Sequence, residues 1–158
     1  MKNINLNSDI GEGFGIYDIG NDAEMLKIVN SANIACGFHA GDPNVMDRVV
    51  KQSIKNGVSI GAHPGFNDLW GFGRRQIHMS TDEIEASVAY QIGALQAISA
   101  TNNAIVTHVK PHGALNNMSS LDPAIAAAIA KGVNLVDPKL ILVAVSGSFL
   151  FSAGQALG

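Results

Sequence analysis

Ala104-Ile105-Val106-Thr107-His108-Val109-Lys110-Pro111-His112-Gly113-Ala114-Leu115 is the stretch whose reading decides the fold. Two histidines four apart, His108 and His112, would share one face of a helix and clip a metal, as in helical zinc motifs. Pro111 stands between them, brings no backbone donor and clashes with the preceding turn, so the helical reading fails. The apolar run 104–109 reads instead as a strand. If its extended geometry continues a few residues further, the period of two puts His108, Lys110 and His112 on one face.

Other stretches end in the same way. Asn3 to Ser8 alternates, with Ile4, Leu6 and Ile10 on one side and Asn5, Asn7 and Asp9 on the other. Asn33 to Gly37 reads as a second strand with His39 just past it, and Val58 to Ala62 as a third that ends on His63-Pro64. Helical signals separate them. Asn21 and Asp22 can cap a helix carrying Met25, Leu26, Ile28 and Val29. Asp42-Pro43 starts another, with Val45, Met46, Val49, Val50 and Ile54 at helical spacing and a stop at Gly57. Ser80 and Glu83 have capping-box spacing before Ile84, Val88, Ile92, Leu95 and Ile98, and Asp122-Pro123 opens an Ala-rich helix ending near Gly132. Leu140 to Val145 is the most apolar strand, after which Ser146-Gly147-Ser148 turns into a last helix. Five consecutive βα units with short connections imply a parallel sheet with right-handed crossovers. A complete eight-unit barrel takes about 250 residues, whereas a doubly wound sheet can close a domain with five strands. Pattern and length leave both architectures open.

The bulk properties describe one globular domain. The chain has 158 residues, with 10 Lys and Arg against 13 Asp and Glu and a formal net charge of −3; mean hydropathy is +0.19. Charges are scattered singly, so there is no basic stripe to neutralise phosphates and nucleic-acid binding is excluded. The single cysteine, Cys36, lies in an apolar run and reads as a small buried residue rather than a nucleophile. With no signal peptide and no unbroken apolar span of about 18 residues, the expectation is a cytoplasmic protein with no membrane partner.

The chemistry gathers at one end of the strands. Each strand has an aliphatic face and a small or polar one, and the polar face ends in an ionisable group. Carboxyl ends of parallel strands share one rim, where sites form. Asp9, His39, His63 and Lys110 with His112 are thereby brought to one place as the candidate catalytic set, and Asp9 with His39 and His63 could hold a divalent metal at that rim. Glu12 is a weaker candidate, and Asp42 has a sufficient role as a helix cap. A long Gly-rich loop, Gly65 to Met79, carries Arg74-Arg75, which could clamp a carboxylate or phosphate or be ordinary surface charge. Gly11, Gly13 and Gly15 follow a strand, yet neither the dinucleotide pattern nor a Walker lysine accompanies them.

The motifs Asn7-Ser8-Asp9-Ile10-Gly11-Glu12-Gly13-Phe14-Gly15, Ser31-Ala32-Asn33-Ile34-Ala35-Cys36-Gly37-Phe38-His39-Ala40-Gly41-Asp42, Gly61-Ala62-His63-Pro64-Gly65-Phe66, Gly71-Phe72-Gly73-Arg74-Arg75 and 108–115 together resemble the LamB/YcsF family. That family comprises the A subunit of bacterial ATP-dependent 5-oxoprolinase. The resemblance implies a distorted seven-stranded β/α barrel of the glycoside hydrolase/deacetylase type, present here as an incomplete barrel of about five βα units. It implies opening of 5-oxoproline to glutamate with hydrolysis of ATP, taken with Mg, in company with B and C subunits, and it leaves homo-oligomerisation open. Asn7, Glu12, Arg74, Arg75 and His108 are the candidate substrate-binding residues.

Family members are longer, so residues 1–158 look like a single barrel domain cut short at the C-terminus. Asn116 stands where the family usually has Tyr, and Ser8 where many members have Cys. Two other functions are compatible with the same residues: a metal-dependent, deacetylase-like carbohydrate hydrolase, and a non-catalytic partner-binding fragment.

Overall fold

Caps written into the sequence set most of the helices in the computed structural model, which describes residues 4–158. The Asp42 carboxylate accepts from the backbone N–H groups of Asn44 at 2.8 Å and Val45 at 3.0 Å, and Pro43 takes the first helical position. Helix α2 (Pro43–Asn56) then runs to Gly57, whose φ of 67° ends it in the left-handed region that glycine tolerates. The Ser80–Glu83 capping box opens α3 (Thr81–Thr101), and Asp122 with Pro123 opens α5 (Pro123–Val136). Ser148 caps α6 (Phe149–Leu157).

The strands are β1 (Asn7–Ile10), β2 (Ser31–Ala35), β3 (Ser59–His63), β4 (Val106–Val109) and β5 (Ile141–Leu142). All four pairings are parallel and the order is β1-β2-β3-β4-β5. Each strand therefore lies beside its neighbour in sequence. A doubly wound sheet needs a reversal of strand order, so the choice left open by the sequence falls to the barrel type of winding. Among the described residues no pairing joins β1 to β5, and the five strands form an arc.

On the outer side, α2, α3 and α5 bury Val49, Val50, Val88, Ile92, Leu95 and Ile129 against Ile34, Ile60 and Val109 of the strands. The inner side is polar. Asn7, Ser31, Asn33, Ser59 and His108 line an inward cavity of about 360 Å³.

Several elements differ from the sequence reading. Strand β1 begins at Asn7, leaving Ile4 and Leu6 exposed; Asn3 lies outside the described residues. The helix expected after Asn21 is a single turn, α1 (Asp22–Met25), without a side-chain cap. Its would-be capping carboxylate, Asp22, accepts from the Gly11 N–H at 3.1 Å instead. Leu26 and Val29 are buried as expected, whereas Met25 and Ile28 are exposed. The run 140–145 pairs over two residues only, because β5 is an edge of the arc and has nothing beyond it among the described residues to extend the ladder. An unforeseen helix, α4 (Gly113–Leu121), starts directly after His112.

Candidate functional site

Four strand ends and the loops that follow them converge as the strand periodicity requires. The expected catalytic residues Asp9, His39, His63, Lys110 and His112 all lie at this rim, and Glu12 joins them. His39 Nε2 lies 3.0 Å from Glu12 Oε1, His63 Nε2 lies 3.4 Å from Asp9 Oδ2, and His112 Nδ1 lies 3.0 Å from His63 Nε2. Lys110 Nζ donates to Asp9 Oδ1 at 2.8 Å. The His39 and His112 rings stack with centroids 3.7 Å apart.

Backbone carbonyls fix which ring nitrogens carry hydrogen, because a carbonyl oxygen only accepts. His63 Nδ1 is 2.6 Å from the Lys110 carbonyl, and His112 Nε2 is 2.7 Å from the Phe72 carbonyl. Each ring therefore spends its N–H outward. In the neutral rings, His63 Nε2 and His112 Nδ1 present lone pairs to each other, an arrangement that calls for a shared proton or a cation between them. Glu12, His39, His63 and His112 each offer one donor atom, all within 4.8 Å of one another. Three imidazoles and a carboxylate are a donor set that suits a divalent metal such as zinc. Asp9, expected from sequence to be a ligand, instead directs Oδ1 to Lys110 and to Asn33 Nδ2, the latter at 2.9 Å.

Burial works against charge throughout this cluster. It pushes the pKa of His39 down, and that of His112 down to about 4 with help from the neighbouring His39 and His63. Burial opposes the charge on Asp9 as well. There His63 and Lys110 prevail and hold the carboxyl well below the usual carboxylate range.

The loop after β3 closes over the cluster. Phe72 and Gly73 both have positive φ, at 55° and 63°, which turns the Phe72 carbonyl onto His112. A Cβ at Gly73 would stand 2.6 Å from His39 Cβ, so the backbone passes where only glycine fits. Asp68 is buried in the loop base, accepts from the Gly71 N–H at 3.0 Å and pairs with Arg75. Buried Gln91 of α3 binds both the N–H and the carbonyl of Gly65, at 2.9 and 3.0 Å.

Of the expected substrate-binding residues, only Glu12 faces the cluster. Arg75 is committed to Asp68, and Arg74 stands over the Phe72 ring at 5.3 Å. Asn7 accepts from Asn33 Nδ2 at 2.9 Å, and His108 lies buried beneath the rim with its Nε2 3.1 Å from Asn33 Oδ1. Cys36 is buried with its thiol pushed up to about 12 by desolvation, which fits the packing role read from the sequence. Asn33, Asp68, Phe72 and Gln91 escaped the sequence reading, since no local motif announces a partner tens of residues away. Beside the cluster lies an open apolar cavity of about 420 Å³, walled by Phe14, Tyr17, Trp70 and Phe72 with Glu12 and His39 among its lining.

The sequence profile of the LamB/YcsF family matches residues 4–158. The chain belongs to the LamB/YcsF family. It is 55% identical over 158 residues to a protein of Natranaerobius thermophilus named as the A subunit of 5-oxoprolinase, covering all of this chain and 62% of that one. The Geobacillus kaustophilus protein of the same name is 57% identical, with 61% of it covered. The crystal structure of the lactam utilization protein from Thermus thermophilus matches with a TM-score of 0.97 and 43% identity, over 99% of this chain and 64% of that one. The chain thus spans about three fifths of the length of the curated relatives it matches. The match to this LamB/YcsF structure assigns the five-strand arc to a TIM-like barrel. Among the described residues no helix is long and apolar enough to cross a membrane.

Proposed function

We propose that the protein works as the A subunit of an ATP-dependent 5-oxoprolinase, opening 5-oxo-L-proline to L-glutamate with Mg-ATP and with B and C partner subunits. The observation that carries this reading is the rim cluster of Asp9, Glu12, His39, His63, Lys110 and His112 in a chain more than half identical, end to end, to proteins bearing that name.

A lactam amide resists water, so its carbonyl is activated first. The lactam oxygen takes the γ-phosphoryl group as ADP leaves, and water adds to the carbon. The tetrahedral adduct breaks its C–N bond as the nitrogen takes a proton. Hydrolysis of the phosphoester left on the carboxyl then releases glutamate and phosphate. Lys110, partly exposed at the rim, stabilises the phosphate and the developing oxyanion. His63 takes the proton of water at Nε2, with Asp9 Oδ2 3.4 Å away to stabilise the imidazolium. His39 or His112 returns a proton to the ring nitrogen. A divalent cation held by Glu12, His39, His63 and His112 would supply Lewis acidity at the same place.

Replacing Asp9 with Asn in the full-length protein, assembled with B and C, is expected to lower glutamate formation by roughly 10²- to 10⁴-fold. Undiminished turnover removes Asp9 from the chemistry. The facing nitrogens of His63 and His112 favour a second reading, a metal-dependent hydrolase of the deacetylase type. Chelation followed by assays on an N-acetyl sugar without ATP separates the two, since the 5-oxoprolinase reading requires ATP consumption in step with glutamate release.

A further inference from the structure

We propose that Asn33 is a positioning residue for Asp9, and that His108, seated against Gly61, fixes which way the Asn33 amide points. The inference deepens the reading of Asp9 given under Proposed function, but the direction of the hydrogen-bond chain rests on geometry alone.

The chain of donors runs one way. A carboxylate only accepts, so the Asn33 atom 2.9 Å from Asp9 Oδ1 is the amide nitrogen. The second amide hydrogen goes to Asn7 Oδ1 at 2.9 Å. Asn33 Oδ1 is then left to accept from His108 Nε2 at 3.1 Å, which requires the hydrogen to sit on Nε2. Burial disfavours charge on His108, so its Nδ1 bears a lone pair. The Thr107 hydroxyl lies 2.9 Å from that nitrogen and 3.0 Å from the Ile60 carbonyl; turned to Nδ1 it completes the chain from Thr107 through His108 and Asn33 to Asp9. Reversing the Asn33 amide would set its carbonyl against a carboxylate and its NH2 against an N–H.

The consequence falls on Asp9. Asn33 and Lys110 both donate to Oδ1, at 2.9 and 2.8 Å, which leaves Oδ2 as the oxygen that faces His63. Asn33 is fully buried in the sheet and touches nothing at the rim except Asp9, so it acts through that carboxylate. Gly61 completes the device. It is paired opposite His108 in the β3–β4 register, beside an irregularity between Ile60 and Gly61, and a Cβ there would overlap the imidazole.

The test uses the full-length protein. A long-range ¹H–¹⁵N spectrum of the imidazoles, with His108 identified by its loss in His108→Gln, should show the Nε2–H tautomer at His108. In the complex with B and C, His108→Gln offers an amide N–H to Asn33 and His108→Leu does not. His108→Leu should lose roughly 10- to 100-fold in kcat. Its KM should stay within about twofold, and His108→Gln should recover most of the loss at similar thermal stability. Gly61→Ala should lose the His108 signal and behave as His108→Leu. An Nδ1–H tautomer in the wild type, or equal kcat in the Gln and Leu variants, overturns the inference. The tautomer is read without turnover, so an inactive complex that still shows Nε2–H removes the lactam reading while supporting this one.

Discussion

Two loops frame the rim, and they are held in opposite ways. The loop after β3, residues 64–80, is pinned from below by buried groups: Gln91 grips Gly65 on both backbone atoms, Asp68 gathers Gly71 and Arg75, and His112 holds the Phe72 carbonyl. The loop after β1, residues 11–21, is tethered through its backbone. Gly11 and Gly15 donate to the carboxylates of Asp22 and Asp42, and Phe14 pairs with Tyr17 across a short hairpin. Its Ile16, Tyr17 and Ile19 stand largely in solvent. The pinned loop orients imidazoles, whose nitrogens must point correctly to within fractions of an ångström. The tethered loop shapes the apolar cavity and can adapt to what enters it.

The largest effect that would break this contrast is expected at Gln91. Replacing it with Leu strands the N–H and carbonyl of Gly65 in a buried position, at a cost of about 2–4 kcal/mol for the two groups. Urea unfolding measures the cost, and hydrogen exchange should show protection lost over 65–79 while residues 13–17 keep theirs. Equal loss in both loops would mean that they form one unit.

Acid separates the loops next. His112 beside the pinned loop has its pKa brought down to about 4, first by burial and then by His39 and His63, from an ordinary 6.5. The unfolded chain therefore takes up the proton first. Stability from this group is whole above pH 6.5 and falls as the pH drops from 6.5 toward 4. Asp42, which anchors Gly15, behaves differently: although desolvation opposes its charge, the N–H groups of Val45, Gly15 and Asn44 hold its carboxyl below 3.8. Its contribution persists above 3.8 and is lost only as the pH falls through its lower folded value. Exchange measured at pH 7, 5 and about 3.5 should open 65–79 before 13–17. Simultaneous opening would erase the distinction.

Much of this arrangement was legible in the sequence because local rules wrote it. Asp42, Ser80 and Asp122 announced their helices through caps, Gly57 announced a stop, and the period of two placed Asp9, His39, His63 and Lys110 on a common rim. What was missed depends on distance or on competition. Asp22 reads as a cap but is claimed by Gly11, and the helix it should have opened shrinks to one turn. Helix α4 follows Pro111 and opens at His112 without a side-chain cap, over a polar Asn-Asn-Met-Ser-Ser run with little helical signal. Strand β5 is apolar enough to be a strand, but a ladder needs neighbours, and it has one. Arg75 looked like a substrate clamp because an arginine pair in a glycine-rich loop has no visible partner until the loop folds Asp68 against it.

The smallest expected effect on stability is at Trp70, and it is the one that assigns the lip a purpose. Trp70 is 97% exposed, so Trp70→Ala removes almost no buried contact and should change the unfolding free energy by no more than about 0.5 kcal/mol. Yet its ring walls the cavity beside Glu12 and His39, opposite Tyr17. If the lactam ring lies there, Trp70→Ala and Tyr17→Ala raise KM while leaving kcat and the melting temperature near those of the wild type. A rise in KM confined to Trp70 would place the ring against the pinned loop alone and leave the hairpin free. Unchanged KM in both would take the substrate out of this cavity. The exposed Phe14, Ile16, Tyr17 and Trp70 would then be a surface in search of a partner, and binding of B and C to the two variants would measure that directly.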